Sequence, residues 1–298
     1  MSTTTVTVVR PGALTTVQDT GRRGHAHLGV PRSGALDAPA ARLANRLLGN
    51  DPGAAVLETT VTGCALRPDR PVTAVVGGAP CPVTVDGRPA AWGAPVHVPA
   101  GAVLDAGPVT AGVRAYVALA GGIAVEPVLG SRSTDLLSGL GPAPLRAGDV
   151  LPLGDVLPLG DVLPPGTAAR PAALPGAAPW PAPPAELVLP LRLGPRADWF
   201  TPAALRTLFS AAYRVSPHSN RVGLRTEGPP LERAVPGELP SEGMVLGALQ
   251  VPPDGRPVVF LHDHPTTGGY PVIGVVAAPG LAAAAQAAVG TPVRFTPG

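Results

Sequence analysis

Short apolar runs rich in valine, each ended by glycine or proline, recur along most of this 298-residue chain. Such runs are too short for helices, and their β-branched residues favour buried strands. The clearest of them span residues 72–76, 83–85, 96–98 and 113–119. Short strands at this spacing are typical of a β-barrel or a sandwich. The pattern therefore predicts a mostly β protein.

Helix signals are restricted to three segments. In residues 38–48, Leu43 and Leu47 share one face, and Gly49-Asn50 ends the segment. Thr201-Pro202 has the residue types of a helix start, so we predict a second helix there. An alanine-rich stretch at residues 281–289 predicts a third, and residues 293–295 predict a closing strand.

Residues 148–186 differ in composition from the rest of the chain. The unit Gly-Asp-Val-Leu-Pro occurs three times, from Gly148, Gly154 and Gly160, and a run rich in proline and alanine follows. Proline disfavours helices and central strands, so we predict a semi-rigid linker or long loop. The predicted organisation is an N-terminal β domain at 1–147, this linker, and a C-terminal β domain at 187–298.

The charge pattern excludes several functions. With a net charge of +2, nothing indicates a nucleic-acid surface. All 22 basic residues are arginine, because the sequence contains no lysine. A Lys Schiff base, a Walker A lysine and a biotinyl-lysine are therefore excluded on this chain.

The cysteines and the N-terminal residues indicate a cytoplasmic protein. Cys64 and Cys81 lie in apolar contexts and imply no disulfide framework. Residues 1–5 show neither a basic nor an apolar targeting region, and no apolar run is long enough to span a bilayer. We expect reduced thiols and no membrane association.

One segment near the C-terminus carries more chemistry than a turn requires. It lies between apolar runs at residues 258–261 and 272–276, which we predict to be strands. Its sequence is His262-Asp263-His264-Pro265-Thr266-Thr267-Gly268-Gly269-Tyr270-Pro271. We call these ten residues the signature loop. The structural alternative is a hairpin loop whose Asp and Thr side chains cap their own backbone.

Each polar residue of the signature loop has a candidate role. Asp263 can accept a proton or hydrogen bond from an amide substrate. Thr266 and Thr267 can donate to an oxyanion or phosphate oxygen. Gly268 and Gly269 permit positive φ and can add backbone N–H groups. Tyr270 can stack on a ligand or hydrogen-bond to it, or it can fill a barrel.

Histidines and arginines supply the other candidates. His262 and His264 would share a face of an extended strand, but a third metal ligand is not evident nearby, so we expect no metal site. Guanidinium groups suit carboxylates and phosphates. The candidates are Arg22, Arg132 and Arg221, each with a structural alternative in an ion pair with Asp19, Asp135 or Glu227. Glu58 is either a buried partner of an arginine or a catalytic acid, and the structural role is favoured.

The signature loop resembles the Asp-x-x-Thr-Thr-Gly-Gly-Tyr-Pro motif of the 5-oxoprolinase C-subunit family. That family is also described as a carboxyltransferase domain, as allophanate hydrolase subunit 2 and as antikinase-type. Further matching blocks follow in family order along nearly the whole chain. They include Thr16-Val17-Gln18-Asp19-Thr20-Gly21-Arg22, Ser33-Gly34-Ala35-Leu36-Asp37, Gly130-Ser131-Arg132-Ser133-Thr134, Ser219-Asn220-Arg221-Val222-Gly223 and Ser241-Glu242-Gly243.

The resemblance implies a fold of two cyclophilin-like β-barrel domains with few short helices. It implies the C subunit of an ATP-dependent 5-oxoprolinase, which is a lactam hydrolase active only when its subunits are together. The B subunit would be a tight partner, the A subunit would complete hydrolysis, and ATP with Mg²⁺ would be shared with them. The implied catalytic set is Asp263, His264, Thr266 and Thr267, and the implied substrate- or phosphate-binding set is Gly268, Gly269, Tyr270, Arg22, Arg132 and Arg221.

Two alternatives remain open at this point. Related domains act in biotin-dependent urea carboxylase, so the chain can be a carboxyltransferase acting on urea or a related amide, with biotin carried by another chain. The other alternative is a non-catalytic, antikinase-type regulator. The sequence shows no Walker loop, Cys-x-x-Cys pair, Gly-x-Ser-x-Gly elbow or His-Glu-x-x-His motif. An active site completed by a partner fits that absence.

Overall fold

The computed structural model describes residues 3–154, 178–237 and 239–298, which fall into two units. The first unit contains the described residues 3–21, 38–134, 140–154 and 178–182. The second contains 22–37, 135–139, 183–237 and 239–298. Two short segments from the N-terminal half of the sequence therefore belong to the second unit.

Strands of the first unit form two antiparallel sheets in the described residues. They are β1 (Thr5–Arg10), β2 (Thr15–Gln18), β3 (Val56–Thr60), β4 (Cys64–Pro68), β5 (Val72–Gly78), β6 (Val83–Val85), β7 (Arg88–Pro89), β8 (Pro95–Val98), β9 (Leu104–Ala106), β10 (Arg114–Leu119) and β11 (Val150–Pro152). One sheet has the order β11-β1-β4-β9-β6-β7, and the other has the order β2-β3-β10-β5-β8.

The core of the first unit follows from strand alternation. In β1 the valines Val6 and Val8 are fully buried, while the intervening threonines are only partly buried. Val17, Leu57 and Val117 from the other sheet belong to the same apolar cluster. The predicted first helix is confirmed as α1 (Ala38–Leu47), which lies against β5 and β10.

Both cysteines lie buried in this core as free thiols. Burial raises the pKa of the Cys64 thiol to about 12 and that of the Cys81 thiol to about 11, because the charged thiolate is poorly solvated there. Neither thiol is a reactive nucleophile near neutral pH.

Strands of the second unit build a closed barrel and a separate ribbon. They are β12 (Leu187–Leu193), β13 (Tyr213–Val215), β14 (Gly223–Glu227), β15 (Glu242–Gly243), β16 (Ala248–Gln250), β17 (Val258–Phe260), β18 (Thr267–Gly268), β19 (Val272–Val276) and β20 (Pro292–Pro297). In the described residues of this unit the barrel order is β12-β19-β16-β17-β14-β13-β20, and β15 pairs with β18. Strands β12 and β20 run parallel.

Of the two α-helices described in the second unit, one starts where the sequence predicts, whereas the other starts at Ala278, before the predicted residue 281. In α2 (Pro202–Ser210), the Thr201 side chain caps the helix by accepting a hydrogen bond from the Ala204 amide at 3.1 Å. The third predicted helix is α3 (Ala278–Gln286), which ends before Val289, a residue that is 65% exposed. Short 3₁₀ turns occupy Ala26–Leu28 and Pro195–Trp199.

The barrel interior is apolar and continuous. Leu187, Leu189 and Leu191 of β12 are buried with Phe295 of β20 in one cluster, whereas Leu193, which a regular strand would place on the same face, is 44% exposed. Strand alternation therefore holds for three of the four leucines.

The predicted mostly β fold with few short helices is confirmed. Of the predicted linker, residues 155–177 lie outside the described residues, as do most of the repeats. The first repeat, starting at Gly148, contains β11, which pairs with β1. The boundaries 1–147, 148–186 and 187–298 remain a prediction.

Candidate functional site

The signature loop connects two barrel strands of the second unit. Strand β17 precedes it and β19 follows it, as the apolar runs predict. The loop begins buried at His262, Asp263 and His264 and becomes exposed at Thr267. Its first half is therefore part of the interior, and its second half faces outward.

Asp263 makes a two-point ion pair inside the second unit. Its Oδ2 accepts from Arg221 Nε at 2.9 Å, and its Oδ1 accepts from Arg221 Nη2 at 3.0 Å. The side chains of Asp263 and Arg221 are 0% and 1% exposed, respectively. A bidentate arginine fixes both the position and the plane of a carboxylate.

Backbone from distant parts of the sequence completes the surroundings of this pair. Arg221 Nη2 also donates to the Gly34 carbonyl at 2.8 Å, and the Leu136 amide donates to Asp263 Oδ2 at 3.3 Å. The Ser33 amide donates to the His262 carbonyl at 2.9 Å. Segments 22–37 and 135–139 thus belong to the second unit because they hydrogen-bond to the start of the signature loop.

Burial dominates the electrostatics of Asp263. It raises the pKa of the carboxyl above its ordinary value, and the Arg221 charge opposes that rise. With both oxygens engaged and no exposed surface, the carboxylate is an anchor for the loop rather than an open proton acceptor.

His264 has a defined ring position and protonation preference. Its Nδ1 lies 2.7 Å from the Pro265 carbonyl, so this nitrogen carries the proton, and its ring stacks on Phe260. Burial lowers the pKa of the imidazole. In the described structure Nε2 has no hydrogen-bond partner, which leaves a neutral ring with an available lone pair.

The two threonines lie at the transition from buried to exposed chain. Thr267 and Gly268 form β18, which pairs with Glu242 and Gly243 of β15. The Thr266 carbonyl accepts from the Met244 amide at 2.8 Å. Neither threonine hydroxyl has a partner among residues 3–154, 178–237 and 239–298, so both are available to a ligand.

An ion pair joins the β15–β18 ribbon to a residue outside it. Arg196 donates to both carboxylate oxygens of Glu242, through Nε at 3.2 Å and through Nη2. The pair joins the 3₁₀ turn after β12 to the strand opposite Thr267 and Gly268.

Gly268 and Gly269 do not use the positive φ that glycine permits, since neither has a left-handed backbone. A Cβ on Gly268 would come within 2.9 Å of Gln250 Nε2, and one on Gly269 within 3.2 Å of the Leu239 carbonyl. Close approach to neighbours, rather than turn geometry, is the reason for small residues here.

Tyr270 is half-buried at the end of the loop. Its carbonyl accepts from Gln250 Nε2 at 3.2 Å, and the Arg233 guanidinium lies 6.0 Å from its ring centroid. The ring therefore has a cationic neighbour, and Gln250 joins the loop to β16.

The three candidate arginines differ in location. Arg22 and Arg221 belong to the second unit and are 2% and 1% exposed, whereas Arg132 belongs to the first unit and is partly exposed. The Arg22 amide donates to the Arg32 carbonyl at 2.6 Å. Arg221 pairs with Asp263 rather than with Glu227, which instead accepts from the Ser216 hydroxyl.

Glu58 has the structural role that the sequence favours. It is 2% exposed, its Oε2 accepts from the Tyr116 hydroxyl at 2.8 Å, and Arg114 Nε lies 3.5 Å from its Oε1. It is a buried ion-pair partner within the first unit.

Metal-donor side chains do not converge in the part of the chain that the structure describes. Among the described residues, no three His, Cys, Asp or Glu side chains lie close enough together to hold an ion. His262 and His264 are not in a strand, so the shared face that would make them ligands does not form. No residue of this chain is assigned to Mg²⁺.

Comparison with known proteins identifies the family. Residues 28–297 match the model of the carboxyltransferase domain, subdomain A and B. The chain belongs to this carboxyltransferase family. The resemblance inferred from the signature loop and the ordered blocks is thereby confirmed.

Relatives of this carboxyltransferase-family chain carry different names. It is 35% identical to the C subunit of 5-oxoprolinase from Escherichia coli over 97% of its length and 89% of that protein. It is 36% identical to the urea amidolyase of Lachancea kluyveri over 97% of its length but 17% of that protein. The crystal structure of TTHA0988 has 40% identity and a TM-score of 0.84, covering 98% of this chain and 56% of its own.

Some contacts of the carboxyltransferase-family site were not predicted. Leu136 and Gln250 touch the signature loop, and Gly34 touches the arginine that pairs with it, yet residue type alone did not mark these three residues. The family resemblance was the available signal for two of these residues. Gly34 lies within a matching block, and Leu136 lies two residues after the block that ends at Thr134. The contacts of Gly34 with Arg221 and of Leu136 with Asp263 span more than 100 residues and are not readable from local patterns.

The helices of this carboxyltransferase-family chain are short. Within the described ranges, none has the length and apolar character needed to cross a bilayer.

Proposed function

We propose that this chain is the C subunit of an ATP-dependent 5-oxoprolinase and opens 5-oxoproline to glutamate together with the A and B subunits. The observation that carries the proposal is the near end-to-end match to the Escherichia coli protein of that name, 35% identical over 89% of its length. We also place the protein in the cytoplasm, consistent with its two unpaired thiols.

We also propose that the chain acts only together with its partner subunits. The Asp263 carboxylate is bonded to Arg221 and to the Leu136 amide, so it is not free to take a proton. In the described part of the signature loop, the open side-chain groups include the two threonine hydroxyls and His264 Nε2. On this proposal these groups bind the substrate and move a proton, and the B subunit completes the site.

The geometry redistributes the roles implied by the family resemblance. Asp263, buried and paired, holds the loop in place. His264 takes the amide proton, because its ring is neutral and its Nε2 is open. The hydroxyls of Thr266 and Thr267 and the backbone of Gly268 and Gly269 stabilise developing negative charge. A lactam is a poor electrophile, so coupling to ATP supplies the driving force.

The test is reconstitution with separately purified A and B subunits. Glutamate formed from 5-oxoproline would be measured with and without ATP, and with each chain omitted in turn. We expect turnover only when all three chains and ATP are present, and co-purification of this chain with the B subunit. Turnover by the other two chains alone at the same rate would contradict a role for this one.

A second function is supported by the match to urea amidolyase over nearly the whole chain. On that proposal the chain transfers a carboxyl group to urea or a related amide. Biotin would be attached to another chain, since this one has no lysine. Supplying a biotin carrier, a biotin carboxylase, bicarbonate and urea distinguishes the two. Carboxylation of urea without turnover of 5-oxoproline would favour this second function.

A further inference from the structure

The structure separates the three candidate arginines by their access to solvent. Arg22 and Arg221 are 2% and 1% exposed, and Arg221 is already engaged by Asp263. Arg132 is partly exposed. We propose that Arg132 binds the oxyanion of the ligand, a carboxylate or a phosphate. The inference rests on the proposed function for the identity of that ligand, 5-oxoproline or ATP.

One nitrogen of the Arg132 guanidinium donates a hydrogen bond within the described chain, and the other two do not. Its Nε donates to the Val125 carbonyl at 2.8 Å. Its terminal nitrogens meet no acceptor in the part of the chain that the structure describes. An arginine has five N–H donors in a rigid plane, so four remain on an oriented fork. That fork matches a carboxylate or a phosphate in two-point contact.

Asp19 organises the segment without pairing with this guanidinium. Its Oδ2 accepts from the Arg132 backbone amide, and its Oδ1 accepts from the hydroxyls of Ser131 and Ser133, all at 2.6 Å. The Gly21 amide donates to the same Oδ1 at 2.8 Å. Because amides and hydroxyls satisfy Asp19, the positive charge of Arg132 is left for another anion. Within the described ranges, the alternative ion pair of Arg132 with Asp19 does not form.

A tight turn fixes the other side of the segment. Val128 and Ser131 exchange two backbone hydrogen bonds, at 2.8 and 3.2 Å, across Leu129 and Gly130. Both turn residues have positive φ, 52° and 78°, which is the geometry of a type I′ turn. Such a turn, anchored by Asp19, preorganises Arg132 and lowers the entropy cost of binding.

The experiment compares Arg132→Gln and Arg132→Lys in the reconstituted three-chain complex. Arg67→Gln is the matched control, because Arg67 is an exposed arginine on β4 of the same unit. We expect Arg132→Gln to raise the KM for 5-oxoproline roughly 10- to 100-fold, as loss of charge-assisted hydrogen bonds predicts. Arg132→Lys should be intermediate, since lysine keeps the charge but not the fork. A rise in the KM for ATP instead would assign the anion to the phosphate.

The inference is overturned if Arg132→Gln leaves both KM values equal to those of Arg67→Gln. A binding measurement separates it from the proposed function. The ¹⁵N-labelled chain would be titrated with 5-oxoproline, and separately with inorganic phosphate, while the arginine Nε–H signals are followed. A shift of the Arg132 signal supports the oxyanion site even if the complex forms no glutamate. An Arg132 signal unmoved by both probes overturns it even if the complex is active.

Discussion

Arg221 and Asp263 form a buried, two-point ion pair at the start of the signature loop, with N–O distances of 2.9 and 3.0 Å. The pair is also bonded to the Gly34 carbonyl and the Leu136 amide, so one guanidinium and one carboxylate hold three segments of the second unit. Removing one partner of such a pair leaves a buried charge unsatisfied, which costs more than the pair itself contributes.

We therefore expect Asp263→Asn to lower the free energy of unfolding by about 3 to 5 kcal/mol. The double variant Arg221→Met with Asp263→Asn should lose less than the sum of the two single changes, because no charge remains buried. Glu186→Gln is the control, since it breaks an exposed pair with Arg294 and should cause no measurable loss. Denaturant unfolding measures all four; additive single changes would argue against coupling.

The local part of the fold could be predicted from the sequence. Valine-rich runs became strands, and Thr201-Pro202 began a helix because a capping hydroxyl and a fixed φ act within a few residues. The pairing of Gly34 and Leu136 with the signature loop and its arginine could not be predicted, because hydrogen bonds across more than 100 residues leave no local pattern.

The chemical interpretation of the site was limited for a related reason. Asp263 looked like an available acid because its sequence neighbours are polar, yet its buried position and its arginine are set by the tertiary fold. Likewise, Gly268 was interpreted through φ, whereas its small size accommodates Gln250 from another strand. Residue type identified the loop, and packing determined what each side chain does.

A second prediction concerns the pH dependence of activity. Burial lowers the pKa of His264 below its ordinary value, so the neutral imidazole persists to lower pH than in a free histidine. If the neutral ring takes the amide proton, kcat/KM should fall only below about pH 6.5. The same shift makes the folded state less stable as the pH falls through the unfolded-state pKa.

His264→Gln tests this assignment, because glutamine has no group that titrates in this range. We expect the acidic limb of the kcat/KM profile to disappear and the rate to drop on the order of 100-fold, the lower range for a general base. Pro265→Ala is a control that keeps the carbonyl accepting from His264 Nδ1. An unchanged acidic limb in His264→Gln would assign the titration to another group.

A third prediction concerns Trp180, which packs within the first unit. Trp180 Nε1 donates to the Gly93 carbonyl at 3.0 Å, and its ring lies 5.6 Å from that of Trp92. A Cβ on Gly77 would come within 2.0 Å of the Trp180 ring. We expect Gly77→Ala to displace the ring and cost about 1 to 3 kcal/mol through overpacking.

Tryptophan fluorescence and denaturant unfolding measure this effect. Gly243→Ala is the control, because a Cβ there meets nothing within 4 Å and its φ is ordinary. In a Trp180→Ala background, Gly77→Ala should cost little further stability, since the ring it displaces is gone. If Gly77→Ala lowers the free energy of unfolding equally with and without Trp180, its effect arises from another contact of β5 and not from this ring.

The last prediction concerns Gly268 and the placement of the Thr266 and Thr267 hydroxyls. A Cβ there comes within 2.9 Å of Gln250 Nε2, which donates to the Tyr270 carbonyl at 3.2 Å. Because Gln250 Nε2 is the end of a flexible side chain, Gly268→Ala should push it away and break its bond to the Tyr270 carbonyl. The loop that carries Thr266 and Thr267 then loses this anchor. A displacement of about 1 Å can cost on the order of 100-fold in rate, so we expect that loss in kcat with little change in unfolding free energy. Gln250→Ala removes the obstacle, and the double variant Gln250→Ala with Gly268→Ala should be no slower than Gln250→Ala alone. If adding Gly268→Ala slows Gln250→Ala just as it slows the wild type, the clash with Gln250 is not what positions these hydroxyls.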